Sequence, residues 1–306
     1  MKCILIGLPV EVGTDIDGCS SGPAALREAG LASVLEGLGH IVEDRGDLSI
    51  GATAASPHTN AAIHHLAEVA AWTRVGAAAA HDASSERLPI FLGGDHSISM
   101  GTIGGIARRA SDAGQPLFVL WLDAHSDFHT LDSTESGNLH GVPLGYLCGL
   151  PGFAGYLPHL STPLDPCRVC VLGIRSVDVA EREAIASSGI HACDMSTIDR
   201  KGVVAPLAAF LDRVKAADGL LHVSLDVDFL DPAIAPAVGT TVPGGATFRE
   251  AHLVMELLHE SGLLSSLDIV ELNPTLDTNG RTAALMVDLV ASLFGRTVLG
   301  RASKAA

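Results

Sequence analysis

The sequence predicts an α/β fold with a mainly parallel central sheet that is covered on both faces by helices. Short, continuous apolar runs alternate along the chain with longer stretches of helical character. This alternation is typical of parallel sheets buried on both faces. Hydrophobic residues make up 47% of the 306-residue chain, which is enough for a large core. No proline- or glycine-rich linker divides the sequence, so we expect one domain over residues 1–306.

The elements follow in order along the chain. The predicted strands are the apolar runs at residues 2–8, 89–92, 117–122, 168–174, 220–225 and 267–271. The alanine-rich segment at residues 61–80 is a good helix former, so we expect a helix there and not a disordered low-complexity segment. The predicted helices are residues 59–80, 97–110, 179–187, 206–217, 247–261 and 281–294.

Charge and cysteine usage narrow the class of protein. A formal net charge of −16 argues against nucleic acid or an anionic membrane as the main partner and favours a cationic small molecule. Six cysteines are scattered along the chain, which is not a dense disulfide framework. Cys167 and Cys170 lack the partner pair of a four-ligand zinc site, so we expect ordinary buried residues. The apolar start, residues 3–10, is too short for a signal or membrane segment, and we expect a cytoplasmic enzyme.

Potential metal ligands stand in three short stretches that closely follow apolar runs. They read GGDHS at residues 93–97, DAHSD at 123–127 and DVD at 226–228. Parallel sheets place ligand sites beyond the carboxyl ends of their strands, and alternate strand residues share one side. Carboxylates and imidazoles that converge there suit hard or borderline divalent cations. The set is too large for one catalytic metal but suits two bridged ones: His96, Asp123, His125, Asp127, Asp226 and Asp228.

Some of these residues also have simpler interpretations. Asp95 or Ser97 could cap a helix, and Asp231, before a proline, could be a turn residue. The two aspartate-rich stretches are harder to explain as structure alone, because buried carboxylates without a cation repel one another. Irregular segments, residues 125–143 and 229–245, follow these two stretches, and long loops in a compact domain are usually functional. The sequence therefore predicts a dinuclear metal site.

These stretches resemble the arginases of the ureohydrolase family. The likeness includes SGNLHG at residues 136–141, residues 224–232 and ELNP at 271–274, while GPAALR at 22–27 resembles the family's opening loop and helix. It runs from about residue 5 to about residue 295 and keeps the order of the motifs. The resemblance implies a three-layer α/β/α fold and two Mn²⁺ per subunit. It also implies hydrolysis of the guanidino group of L-arginine to L-ornithine and urea.

The same resemblance implies how the ligands are shared. Asp123 and Asp226 would bridge the two metals; His96 and Asp127 would complete one site, and His125 and Asp228 the other. Imidazoles in an oxygen-rich set tilt the choice towards manganese. Two such metals lower the pKa of a bridging water, so that hydroxide exists near neutral pH to attack the guanidinium carbon.

Catalytic roles are also implied by the resemblance. His140 would be the proton shuttle to the leaving amine, a role that suits an imidazole, although a loop hydrogen bond would explain it as well. Asp127 would hydrogen-bond the bridging hydroxide as well as bind metal. Glu271 would pair with the substrate guanidinium, although a solvated acid at a strand end is ordinary. Thr240 would lie near the guanidino end.

A further set of residues would recognise the end of the substrate that lies away from the guanidino group. Ser136 and Asn138 resemble positions that bind the carboxylate region, and Asp178 and Glu181 resemble acids that face the α-ammonium. Both acids could equally cap the helix that begins nearby. His129 departs from the family, because it stands where related arginases carry an asparagine that contacts the substrate carboxylate. Arginine is the leading candidate substrate, and agmatine, guanidinobutyrate or guanidinopropionate are the alternatives.

Other classes of protein fit less well. A dinuclear phosphoesterase would need positive groups for phosphate, and an inactive ureohydrolase-like binding protein would be expected to lack a ligand or the shuttle. Residues 248–250 resemble a stretch used between arginase subunits, which implies a homo-oligomer, either a trimer or a hexamer. A solvated charge pair explains the same residues.

Overall fold

A parallel sheet of eight strands runs through the part of the chain that the computed structural model describes, residues 1–85, 87–297 and 299. Each pairing within the sheet is parallel. The strands are β1 (Lys2–Leu8), β2 (Ile41–Asp47), β3 (Leu88–Gly93), β4 (Leu117–Leu122), β5 (Val169–Ile174), β6 (His191–Asp194), β7 (Leu220–Asp226) and β8 (Leu264–Val270). Their order across the sheet is β2-β1-β3-β8-β7-β4-β5-β6.

Helices occupy most of the connections between these strands. They are α1 (Gly22–Glu28), α2 (Leu31–Gly37), α3 (Leu66–Ala83), α4 (Ser99–Asp112), α5 (Pro143–Leu147), α6 (Val179–Ser188), α7 (Met195–Lys201), α8 (Val204–Ala216), α9 (Phe248–Ser261) and α10 (Arg281–Leu293). Within the described ranges, no helix is both long and apolar enough to cross a membrane.

Two hydrophobic cores lie on opposite faces of the sheet. Along β1, Ile4 and Ile6 belong to one core, while Cys3 and Leu5 belong to the other, because successive strand side chains point to opposite faces. Helices α3 and α4 pack on the first face, and α9 and α10 on the second. The predicted three-layer α/β/α architecture is therefore confirmed.

The strand predictions succeeded where strands are buried and failed at the sheet edges. All six predicted strands are present, with ends shifted by up to three residues. The strands β2 and β6 were missed. They lie at the two edges of the sheet, and their sequences, IVEDRGD and HACD, are largely exposed. Edge strands commonly carry charged residues, so neither forms a continuous apolar run.

The predicted start of the first long helix was wrong. Helix α3 begins at Leu66 and not at residue 59, and His65 before it has a left-handed φ of 54°. Residues 59–65 therefore lie outside the helix despite their alanine content. The short helices α2, α5 and α7, of seven, five and seven residues, were also missed, because so few turns carry little periodic pattern.

The central strands bring their carboxyl ends together. Strands β3, β8, β7 and β4 are consecutive neighbours in the sheet, and each is followed by residues of the predicted site. Only glycine fits at Gly94, just after β3, because a Cβ there would lie 1.7 Å from the carbonyl oxygen of Val10. This close approach seats the loop that carries His96 against the end of β1.

Candidate metal centre

The predicted ligands converge, but from loops and not from strand faces. Strand β4 ends at Leu122, and Asp127 has a left-handed φ of 48°. Asp226 ends β7, and Asp228 lies in the 3-10 helix Val227–Phe229 that follows. The expectation that strand alternation aligns these side chains was therefore wrong. The loop after β4 and the 3-10 helix after β7 bring them together instead.

Backbone N–H groups hold one oxygen of several carboxylates. The N–H of His125 donates to Asp123 Oδ1 at 2.6 Å, and that of Asp228 donates to Asp226 Oδ1 at 2.7 Å. The N–H of Ala124 donates to Asp228 Oδ1 at 2.9 Å, which ties the two loops to each other. These bonds leave Oδ2 of Asp226 and Asp228 facing the histidines.

One group of ligands surrounds His96. Its Nδ1 lies 2.9 Å from Asp226 Oδ2, 3.1 Å from Asp123 Oδ2 and 3.2 Å from Asp127 Oδ2. That nitrogen is buried. A buried imidazole nitrogen aimed at three carboxylate oxygens fits a divalent cation.

A second group shares Asp123 with the first. His125 Nδ1 lies 2.9 Å from Asp228 Oδ2 and 3.5 Å from Asp123 Oδ1. In each triad, His96–Asp123–Asp226 and Asp123–His125–Asp228, one ligand atom per residue lies within 4.8 Å of the others. Because Asp123 offers one oxygen to each triad, the donor set fits two adjacent divalent cations.

The buried carboxylates make the cluster favour bound positive charge. Burial, followed by repulsion from neighbouring carboxylates, raises the pKa of Asp127 and Asp226 well above the usual value. Burial opposes charge on the histidines, but their hydrogen bonds and attraction to the aspartates raise the pKa of His96 to about 9 and of His125 to about 12. Without cations the cluster therefore retains protons, and bound cations would displace them.

His140 and Glu271 meet beside the cluster. His140 lies in the 3-10 helix Leu139–Gly141, and its Nδ1 is 2.8 Å from Glu271 Oε1. The same oxygen accepts the N–H of His96 at 2.7 Å, and the thiol of Cys19 donates to Oε2 at 3.8 Å. Burial opposes both charges, but mutual attraction lowers the pKa of Glu271 and raises that of His140. Glu271 also has a left-handed φ of 63°, and such strain clusters at functional sites.

A cavity of about 130 Å³ opens onto these groups. All six predicted metal ligands line it, together with His129, His140, Glu181, Thr240 and Glu271. The hydroxyl of Thr240 donates to Asp228 Oδ2 at 3.4 Å. Ser136, Asn138 and Asp178 are not among the lining residues; Ser136 is exposed and accepts the N–H of Asn138 at 3.2 Å.

Asp178 and Glu181 cap helix α6, as their simpler interpretation holds. Asp178 Oδ1 accepts the N–H of Glu181 at 2.9 Å, and Glu181 Oε2 accepts the N–H of Asp178 at 3.3 Å. Buried Glu181 also accepts the hydroxyl of Ser126 at 2.5 Å and the N–H of Phe128 at 3.2 Å. The cap is thus bonded directly to the metal-ligand loop.

His129 is engaged at both ring nitrogens. Its Nε2 lies 2.9 Å from Asp178 Oδ2, and its Nδ1 lies 3.0 Å from the hydroxyl of Ser133. Glu181 Oε2 is 3.7 Å from Nε2. The departure from the family pattern therefore creates a contact between the two loops at the cavity wall.

Other predicted positions have structural roles. Asp95 Oδ1 accepts the N–H of Ser97 at 2.9 Å, and Asp231 accepts backbone N–H groups of Ala233 and Gly244. Cys170 is buried on β5, but Cys167 is exposed, so the expectation of two buried cysteines was half wrong. That residue lies in a 3-10 helix just before β5 begins.

Sequence reasoning missed three residues that support the ligands. The Trp121 ring stacks on His96 with centroids 4.0 Å apart, and its Nε1 donates to Asp123 Oδ2 at 2.9 Å. The Ser224 hydroxyl lies 2.8 Å from His96 Nε2. Arg175 donates to the carbonyl oxygen of Asp228 at 2.6 Å. Trp121 and Ser224 each lie two residues before a predicted aspartate ligand, a position on the same side of a strand that could have identified them.

Comparison with known proteins agrees with this geometry. A model described as "Arginase family" matches residues 1–295. An arginase of Brucella melitensis is 60% identical over 98% of this chain and 98% of its own length, and one of Agrobacterium fabrum is 55% identical over 99% and 94%. The structure of the Bacillus caldovelox arginase is similar with a TM-score of 0.89 and 37% identity, covering 97% of this chain and 99% of that one. The chain belongs to the arginase family.

Proposed function

We propose that this chain hydrolyses the guanidino group of L-arginine to L-ornithine and urea with two bound Mn²⁺. One observation carries the proposal: two ligand triads share Asp123 and open onto the same cavity as the His140–Glu271 pair. Metal ligands, a proton donor and a buried carboxylate are the groups that cleavage of a guanidinium needs. The Brucella and Agrobacterium relatives carry the name arginase.

The proposed division of the metal ligands follows the family resemblance, and the two ligand triads support the sharing of Asp123. His96, Asp123, Asp127 and Asp226 would hold one cation, and Asp123, His125, Asp226 and Asp228 would hold the other. Bound together, two such cations supply a water of lowered pKa and positive charge opposite the developing negative charge. Manganese suits four carboxylates with two imidazoles better than zinc does.

Glu271 is proposed to orient the substrate. Its carboxylate is buried and ionised beside His140, and a guanidinium can bind a carboxylate through two parallel hydrogen bonds. Backbone bonding of Oε1 to His96 fixes that carboxylate relative to the metal ligands. Positioning of this kind places the guanidinium carbon against the nucleophile, and Thr240 borders the same end of the cavity.

His140 is proposed to move the proton. Burial opposes its charge, but the Glu271 carboxylate raises its pKa, which favours the protonated imidazole that could deliver a proton to the leaving amine. A general acid is required because an unprotonated amine is a poor leaving group. Asp127, whose Oδ2 lies 3.2 Å from His96 Nδ1, would accept a hydrogen bond from the nucleophile as well as bind metal.

The far end of the substrate is proposed to meet Ser136, Asn138, Asp178, Glu181 and His129. One observation favours a second candidate, a related guanidino compound such as agmatine, guanidinobutyrate or guanidinopropionate. Both nitrogens of His129 already have partners, so neither is free for a substrate carboxylate in this arrangement. Because the chain shares high sequence identity with relatives named arginase, arginine stays the first candidate substrate.

We also propose that the chain is one domain and that it works in the cytoplasm as a homo-oligomer, trimer or hexamer. In the segment that the resemblance associates with subunit contacts, Phe248 is 46% exposed. Arg249 there pairs with Glu256 at 3.2 Å, whereas Glu250 forms the cap of α9 with Thr247.

The test is urea release by the manganese-loaded protein, together with its manganese content. We expect two Mn²⁺ per chain and urea from arginine. Asp123→Asn should abolish activity and lower the manganese content, because both triads lose a shared ligand. Asp165→Asn is the matched control, since Asp165 caps a distant 3-10 helix. Full activity and full metal content in the Asp123 variant would refute the proposed centre.

A further inference from the structure

A chain of buried hydroxyl groups leads away from the metal centre into the core. His96 Nε2 lies 2.8 Å from the hydroxyl of Ser224, which lies 3.5 Å from the hydroxyl of Ser99. Ser99 donates to Asp268 Oδ2 at 2.8 Å. Ser99, Ser224 and Asp268 are each 0% exposed, so no solvent competes with these contacts.

The carboxylate at the far end determines which group donates and which accepts in each of these hydrogen bonds. A carboxylate only accepts hydrogen bonds, so the single hydroxyl proton of Ser99 is committed to Asp268. Ser99 can then only accept from Ser224, and the oxygen of Ser224 is left to accept from His96 Nε2–H. A neutral imidazole with its proton on Nε2 carries its lone pair on Nδ1.

That lone pair points at the proposed metal position. His96 Nδ1 faces the three carboxylates of its ligand group, at 2.9 to 3.2 Å. The opposite tautomer would place a proton there and block the nitrogen as a ligand. Partners beyond the ligands commonly set tautomer and ring orientation at metal sites.

We propose that Asp268, acting through Ser99 and Ser224, is a positioning group that fixes the tautomer of His96 for metal binding. The proposal rests on the proposed metal centre, but it concerns metal affinity and not the reaction. Among the described residues, the side-chain partners found for Asp268 are Ser99, Thr102 and His222, and Asp268 does not line the cavity. It lies beside His222, whose Nε2 is 3.4 Å from Asp268 Oδ2 and whose Nδ1 is 2.8 Å from the Ser266 hydroxyl.

Helix α4 supplies a matched control for the Ser99 contact. Thr102 also donates to Asp268 Oδ2, at 2.7 Å, and is likewise 0% exposed. Both hydroxyls therefore satisfy the same carboxylate from the same helix, but only Ser99 connects it to Ser224. Loss of either should reduce stability to a similar degree, whereas only loss of Ser99 should disturb His96.

The experiment compares Ser99→Ala with Thr102→Val by titrating the metal-free proteins with Mn²⁺ in a calorimeter and by measuring the Tm of the metal-free forms. We expect similar falls in Tm, with affinity at one of the two sites reduced about tenfold or more in Ser99→Ala alone, which is the usual effect of losing an outer partner. Ser99→Thr, which keeps the hydroxyl, should restore affinity.

Asp268→Asn is a second test should Ser99→Ala fail to fold. Its amide can donate to Ser99 and remove the imposed direction, so manganese affinity should again fall. Unchanged affinity in the folded Ser99→Ala or Asp268→Asn variant, or equal loss in Ser99→Ala and Thr102→Val, would overturn the proposal. None of these readings depends on urea release, so they stand apart from failure of the proposed reaction.

Discussion

His140 Nδ1 lies 2.8 Å from Glu271 Oε1, and that oxygen also accepts the backbone N–H of His96. One carboxylate thus joins the proposed proton donor to the loop that carries a metal ligand. Because Glu271 has a left-handed backbone conformation, its side chain leaves the end of β8 in a direction that a regular strand would not allow. Glu271, which is proposed to bind the guanidinium, and His140, the proposed proton shuttle, therefore form one structural unit.

Replacing His140 should remove proton delivery without removing metal. We expect His140→Asn to lower kcat by about 10²- to 10⁴-fold, the usual range for a general acid, while manganese content stays unchanged. Steady-state urea release and metal analysis measure the two quantities. The control is His191→Asn, an exposed histidine on edge strand β6. A variant at His140 with kcat close to that of the parent protein would exclude the shuttle role.

The double role proposed for Asp178 can be separated from simple helix capping. Asp178→Ala should lower the free energy of unfolding by about 1 kcal/mol, the usual cost of losing a cap, and should also raise KM for arginine. Asp194 is the matched control, because it caps α7 by accepting the N–H of Thr197 at 2.8 Å. Denaturant unfolding should give similar losses for Asp178→Ala and Asp194→Ala. Identical KM values in the two variants would leave Asp178 as a cap alone.

Exchanging His129 for asparagine should sharpen selection of the α-amino acid end. The shorter side chain would release Asp178 from the contact at 2.9 Å and provide an amide donor for a carboxylate. We expect kcat/KM for arginine to rise relative to that for agmatine, mainly through KM. The ratio of the two values, measured under one set of conditions, decides the matter. An unchanged ratio would clear His129 of a role in specificity.

Manganese affinity should increase with pH. Hydrogen bonds and attraction to aspartates raise the pKa of His96 to about 9 in the metal-free cluster, and a metal ligand must lose that proton. Below about pH 9 each binding event therefore has to displace protons, and affinity should fall as pH decreases. Calorimetry in buffers of different ionisation enthalpy would count the protons released. Binding that is independent of pH between 7 and 9 would contradict this picture of the cluster.

The interior of the fold could be predicted from sequence because buried parallel strands are continuous apolar runs. The edge strands β2 and β6 could not, since charged and exposed residues there obey no such pattern. His65 shows a different limit. Its left-handed conformation delays the start of α3, and an alanine-rich sequence carries no signal for that.

At the site, residue types and spacing were sufficient to find the ligands but not their geometry. Asp123 and Asp127 were expected on a strand face and instead lie in the irregular loop after β4, where Asp127 adopts a positive φ. Ser99 and Asp268 lie 169 positions apart in the chain, so their contact depends on α4 packing against β8. Sequence patterns along one segment do not contain such long-range pairs.

The most direct measurement is urea release by the manganese-loaded protein from arginine, agmatine, guanidinobutyrate and guanidinopropionate, compared by kcat/KM. We expect arginine to be the best substrate, because the proposed site provides groups for its guanidinium, carboxylate and α-ammonium together. Equal or greater efficiency on a compound that lacks the α-ammonium would contradict arginine as the substrate. Absence of urea from all four, with cleavage of phosphate esters instead, would contradict the reaction itself.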